Sequence, residues 1–289
     1  MGYQLALNMR DQHIDLVAYN RSHPKIDEIQ KDGVNVAYTL KDLVDALQVP
    51  RVLWMMVPSG DTVDNLLTDL IPLLDEGDLI IDGGNSNYKK TRARNERLRA
   101  SGLKYMDVGT SGGTSGARDG ACMMIGAEST EFERLESVFE KICVKDGYAH
   151  VGPVGAGHYV KMVHNGVEYA MMQAIGEGFE ILEAGPYDLD HEAVAKVWNN
   201  GSIIESYLMR LTQRAFGKDA KLDGILGKVN SSGEGLWTLE EALELQVPVP
   251  AIADSIFARY RSHQDNTFSN RLLAALRNEF GGHAVEKTK

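Results

Sequence analysis

The chain has 289 residues, enough for two domains of ordinary size, and its 43% hydrophobic and 25% charged residues balance as in a globular protein in water. A formal net charge of −11 argues against general affinity for nucleic acid or an anionic membrane, so any anion it binds must be met by locally gathered cations. Two cysteines, Cys122 and Cys143, in no metal-ligand spacing, point to a reducing, cytoplasmic setting without a structural metal, and no apolar run reaches the roughly 20 residues that span a bilayer.

In chain order, short apolar runs at residues 14–19, 52–57, 79–82 and 103–108 read as buried strands. Between them, residues 24–31, 40–47, 62–74 and 88–100 read as amphipathic helices, and the charge run at 89–99 as a mostly solvated helix face. Such alternation predicts a Rossmann-like, doubly wound parallel sheet with helices on both faces. A strand at 121–125 and a helix at 131–141 follow. The character changes near Val151-Gly152-Pro153-Val154-Gly155-Ala156-Gly157 to helical patterns with almost no strand alternation. The expected division is therefore a dinucleotide-binding domain at 1–152 and an all-α C-terminal domain at 153–289. Residues 158–184 predict one long helix, in which Gly166, Gly176 and Gly178 demand tertiary support.

Within that helix Lys161, His164, Asn165, Glu168 and Tyr169 fall at i, i+3, i+4, i+7 and i+8, on one face. That stripe is ordinarily apolar and turned to the core. Here Val160, Met162, Val163, Val167, Ala170 and Met171 take the flanks instead. One reading is a solvated face, or a structural Lys–Glu pair bridged by the histidine. The other is a reaction site. A lysine between apolar walls and near a cofactor cation can lose its proton near neutrality and act as a base, and a carboxyl one or two turns away can act as an acid.

Three loops stand where ligands bind in open parallel sheets, after predicted strands. Asp82-Gly83-Gly84-Asn85-Ser86 allows close backbone approach, or is a plain turn capped by Ser86. Ser111, Gly112 and Gly113 offer backbone and hydroxyl donors to a carboxylate. Asn20-Arg21-Ser22 ends a strand where a dinucleotide fold reads the adenosine ribose. Without an acid there, the loop favours NADP over NAD, although an ordinary turn arginine fits too. Arg259, Arg277 and His283 are further cations, suited to phosphate or decorating the surface.

Together these segments resemble the 6-phosphogluconate dehydrogenase family. The resemblance rests on IIDGGNS at 80–86, SGG at 111–113, KMVHNGVEYAMMQ at 161–173, FAR at 257–259 and the Arg277/His283 pair, and it covers nearly the whole chain. It implies that Lys161 takes the proton of the substrate C3 hydroxyl as hydride leaves C3, and that Glu168 protonates C1 of the enediol that remains once CO2 is lost. Asn85, Ser111, Gly112, Gly113, His164 and Asn165 would hold the carboxylate and hydroxyls, and Tyr169 and Arg259 the phosphate. Arg277 and His283 would come from a neighbouring subunit of a homodimer or homotetramer. Gly2, Asn20, Arg21, Ser22, Val57 and Asn85 would line the NADP or NAD site. The length resembles the short subgroup, whose helical domain lacks a duplicated half.

Two departures stand out. The family opens with a strand and a GxGxxG turn, and Met1-Gly2 matches only its end, so a strand that is normally central would be missing through truncation. At 231–238 the expected Lys and Thr are Ser232 and Glu234, and a carboxylate opposes a phosphate. The rival expectations are a β-hydroxyacid dehydrogenase acting on a short unphosphorylated acid, and a truncated, catalytically silent binding subunit.

Overall fold

The structure, a computed structural model, describes residues 1–287. The chain divides into two compact units, Met1–Asn165 and Gly166 onward. The first is α/β. Its strands are β1 (Val17–Tyr19), β2 (Asn35–Ala37), β3 (Val52–Met55), β4 (Leu79–Asp82), β5 (Lys104–Ser111), β6 (Ala121–Gly126) and β7 (Cys143–Gly152). Its helices are α1 (Gly2–Asp11), α2 (His23–Lys31), α3 (Leu40–Asp45), α4 (Asp61–Leu70), α5 (Tyr88–Ala100), α6 (Gly113–Asp119) and α7 (Ser129–Ile142).

Hydrophobic alternation explains the layers. Leu79, Ile81, Met106 and Val108 point to one side of the sheet, into a core with Leu5, Phe139 and Ile142. Ile80, Tyr105, Leu53 and Met55 point to the other, against Val63, Leu67, Leu70 and Leu98. Successive residues of one strand thus serve opposite cores, as a period of two requires. All four residues of β4 are buried, consistent with a central strand covered on both faces. α4 stops where Pro72 enters a 3-10 turn, Ile71–Leu73, since proline lacks the N–H needed to continue the helix.

The expected Rossmann-like layering around a mainly parallel sheet is present, and several details are corrected. The sheet is mixed. β3, β4 and β5 are parallel, but β6 pairs antiparallel to β5 and β7 parallel to β6. β1 and β2 form a separate parallel pair. The first strand is Val17–Tyr19 rather than 14–19, because residues 14–16 lead out of α1 without ladder bonds. The 103–108 strand extends to Ser111, and Gly113 begins a helix rather than continuing a loop. The charge run on α5 is not wholly solvated, since Arg94 is buried.

The long helix α8 (Ala156–Glu183) belongs to both units, through Asn165 to the first and from Gly166 to the second. The opening turns of α8 pack on β5, which places them with the first compact unit. The second unit is helical, with α9 (His191–Trp198), α10 (Tyr207–Phe216), α11 (Glu234–Glu244), α12 (Pro250–Arg261) and α13 (Phe268–Gly281). Its core gathers Phe179, Ala195, Met209 and Phe216. Asp190, Ser206 and Thr267 cap α9, α10 and α13 through their side-chain oxygens. Among the described residues no helix is long and apolar enough to cross a membrane.

Candidate functional site

The turn after β4 is held from beneath. The Asp82 carboxylate is fully buried and accepts from Ser86 Oγ (2.7 Å), Tyr105 OH (3.2 Å) and Gly84 N–H (3.1 Å). Ser86 is therefore engaged with Asp82, and the cap of α5 is Asn87, which accepts from the N–H of Lys89. Arg94 reaches back from α5 to Ser86 Oγ and Gly60 O, both at 3.1 Å, and grips Asp64 at 2.7 and 2.9 Å. One guanidinium so joins the turn carrying Asn85 to the turn after Val57. Asn85 Oδ1 is buried and has no hydrogen-bond partner within the protein.

The turn after β5 meets the helix stripe. Ser111 Oγ stands 3.2 Å from His164 Nε2. Lys161 is a buried residue, 5% exposed, and its Nζ lies 2.6 Å from Asn165 Oδ1 and 3.2 Å from His164 Nδ1. Gly109 makes this approach possible, because a Cβ there would overlap the Lys161 stem. Gly112, at φ 101, turns the chain into α6, and Gly113 follows at φ 64. Four expected site residues, Ser111, Lys161, His164 and Asn165, thus form one bonded set at the carboxyl end of β5, where an open sheet binds ligands.

In the second unit Tyr169 and Arg259 come together, with the guanidinium 3.5 Å from the ring centroid. Arg259 also donates to Asn230 O at 2.8 Å. Tyr169 OH accepts the N–H of Ser232 at 3.3 Å, and Ser232 Oγ donates to the buried Glu234 carboxylate. Gly235 lies flat against the tyrosine ring. The carboxylate foreseen at 234 is thus already bonded to its neighbouring hydroxyl. Glu168, one residue before Tyr169, is partly exposed. Arg277 on α13 and His283 beyond it are exposed, with Asn278 Nδ2 donating to His283 O.

The expected cofactor-side residues lie on the first unit. Gly2 opens α1 close against Met56, next to Val57, where a Cβ would sit a tight 3.0 Å from Met56 Cβ. Asn20, Arg21 and Ser22 are exposed after β1, and Asn20 Oδ1 accepts the Ser22 N–H in a tight turn. Sequence reasoning missed Arg94, Asp107, Thr91 and His158. Nothing in a charge run marks which arginine is buried. Asp107, by contrast, is a lone acid in an apolar strand, a signal that was available.

The first unit's Rossmann-like layers, the ligand-side turns and the polar helix stripe define a dinucleotide-binding oxidoreductase fold joined to a helical domain. Comparison with known proteins carries this to a family. Residues 1–152 match the NAD binding domain of 6-phosphogluconate dehydrogenase, and residues 157–288 match its C-terminal domain. The Bacillus subtilis protein YqeC is 50% identical over 99% of this chain and 96% of its own length. A Haloferax volcanii relative described as 6-phosphogluconate dehydrogenase, NAD(+)-dependent, decarboxylating, is 44% identical over 99% of this chain and 96% of its own. A solved Plasmodium falciparum 6-phosphogluconate dehydrogenase matches with a TM-score of 0.84 and 29% identity, over all of this chain and 65% of that one. The chain belongs to the 6-phosphogluconate dehydrogenase family.

Proposed function

We propose that the chain oxidises 6-phosphogluconate with NADP or NAD and releases CO2 to give ribulose 5-phosphate. The observation that carries this reading is the buried Lys161 amine, bonded to Asn165 and His164 beside Ser111. A lysine held among polar partners at the end of a parallel strand suits a base for a sugar-acid hydroxyl. Lys161 takes the proton of the C3 hydroxyl. It then returns a proton toward the keto oxygen while the C1 carboxylate leaves as CO2. Glu168, two turns along the same helix, gives its proton to C1 of the enediol. Ser111, Gly112, Gly113, His164 and Asn165 orient the carboxylate and hydroxyls. Tyr169, Arg259 and a neighbouring subunit's Arg277 and His283 take the phosphate, in a homodimer or homotetramer. The exposed row Phe268, Leu272, Leu276 and Phe280 along α13 supports such an assembly.

The unpartnered buried oxygen of Asn85 fits a nicotinamide cofactor. Gly2, Asn20, Arg21, Ser22, Val57 and Asn85 would hold it, and when bound it accepts the hydride from C3. The acid-free turn at 20–22 supports NADP, whereas the Haloferax relative is named for NAD. Turnover with each cofactor, followed as CO2 release, tests the assignment. In the same assay Lys161→Met abolishes oxidation while substrate binding largely survives, since the base acts in the transition state. Unchanged turnover removes Lys161 from the chemistry, and a preference for 3-hydroxyisobutyrate over 6-phosphogluconate overturns the substrate.

A further inference from the structure

β5 and α8 meet along a row in which every second strand residue faces every third helix residue. Asp107 lies at the start of the helix, Gly109 under Lys161 and Ser111 beside His164. The first member of that row is unusual. Asp107 is fully buried, and its two oxygens accept the N–H groups of Gly155 (2.5 Å) and His158 (2.7 Å). Those donors lie one residue before α8 and in its first turn, where no carbonyl within the helix can serve them. A capping box satisfies an equivalent pair with two local side chains. Here one carboxylate from a neighbouring strand takes both, and its charge faces the positive end of the helix.

The surroundings leave this clamp little slack. The His158 ring is buried, with Nδ1 2.7 Å from Thr91 Oγ1 and 3.8 Å from Asp107 Oδ2. A Cβ on Gly157 would sit 2.5 Å from Met124 O and 2.6 Å from Asp107 O. One on Gly126 would come within 2.7 Å of Gly157 N. Burial pushes the Asp107 carboxyl pKa up, so its charge depends on the donors around it.

We propose that Asp107 is a positioning residue for Lys161: by fastening the first N–H groups of α8 to β5 it sets the helix's register on the strand, and so where the Lys161 amine and the His164 ring stand. This rests on the reading of Lys161 as the base. Asp107 touches no reacting atom and acts through the helix alone. With the clamp gone, the opening of α8 is free to shift, and a displacement of about 1 Å at a reacting group costs on the order of 100-fold in rate.

Asp107→Asn keeps the shape but turns one acceptor into a donor facing a donor. Asp107→Glu keeps the charge and both acceptors but lengthens the reach by one methylene. In either variant, folded by circular dichroism, kcat falls by about 100-fold while the dissociation constant for 6-phosphogluconate changes little. Acetylation of Lys161 by acetic anhydride, followed by peptide mass spectrometry against the other lysines, changes in the same variants. Native kcat and native Lys161 labelling in either folded variant overturn the proposal. Loss of stability at unchanged kcat assigns Asp107 a purely structural role and overturns it equally. Lys161→Met run in parallel separates the two readings. If that variant still turns over, the base reading fails and the labelling alone decides the clamp. Where neither Asp107 variant folds, amide exchange in the unaltered protein serves. Gly155 and His158 must exchange among the slowest amides, and fast exchange there overturns the clamp.

Discussion

Replacing Arg94 by methionine tests the brace beneath the Asn85 turn. Arg94 is 3% exposed and stands 3.8 Å from the fully buried Asp82, while its strongest bonds go to Asp64, whose side chain is 42% exposed. Methionine keeps an apolar stem in the same space, so the loss is mainly of charge and donors. Removing one partner of a buried pair costs about 3–5 kcal/mol. Asp82 keeps donors from Ser86, Tyr105 and Gly84, which moderates that figure. The half-exposed Asp64 contact adds at most about 1 kcal/mol, because solvent screens it. A net loss of about 3 kcal/mol is expected, measured as a shift in urea midpoint at unchanged m-value. Asp64→Asn alone should cost no more than about 1 kcal/mol. Arg94 holds the Asp64 carboxyl below its ordinary value of 3.8, a depressed acid whose contribution is present above 3.8 and lost as pH falls below it. The gap between native and Arg94→Met proteins therefore narrows in acid. A loss under about 1 kcal/mol at neutral pH, or a gap that widens in acid, refutes the brace.

Two further substitutions probe the site from opposite sides. Gly109→Ala puts a methyl where the Lys161 stem lies, so overpacking should cost about 1–3 kcal/mol and depress kcat, read by thermal unfolding and steady-state turnover. Asn85→Ala removes a buried acceptor that has no protein partner, so stability should hold or rise while affinity for cofactor or sugar acid falls. Calorimetric unfolding and isothermal titration on one preparation check both halves, and a marked loss of stability with native affinity contradicts the assignment.

The polar stripe on α8 was legible because helical spacing places Lys161, His164 and Asn165 on one face whatever surrounds them. The strand at Leu79–Asp82 was legible because a buried parallel strand has no polar side to disguise it. β7 was not, since most of its residues are exposed or half-buried and Lys145 and Asp146 break the apolar pattern of a strand at the sheet's margin. α6 was hidden by composition, as Gly-Thr-Ser-Gly reads as loop. Its support is tertiary, with Asn8 of α1 donating to both Ala117 O and Ile142 O. The reversal of β6 left no local mark, because an apolar strand reads the same in either direction. Of the site, the residues that touch one another along α8 and its loop could be foreseen. Those that act from neighbouring elements, Arg94 and Asp107, could not be tied to it without knowing which strands and helices meet.

The reversal of the chain at β6 has a consequence for how this family can vary in length. Because β7 pairs parallel to β6 and antiparallel in sense to β5, the chain comes back to where Gly152 lies level with Gly126 and Asp107. From there α8 travels along β5 toward its carboxyl end. Extra residues in the exposed turn between α5 and β5, at 101–102, would leave that register untouched. A single residue inserted within the first turn of α8, between Ala156 and Lys161, would turn the amine by about 100° around the helix axis, away from Ser111. That short span behaves as a fixed gear between sheet and helix.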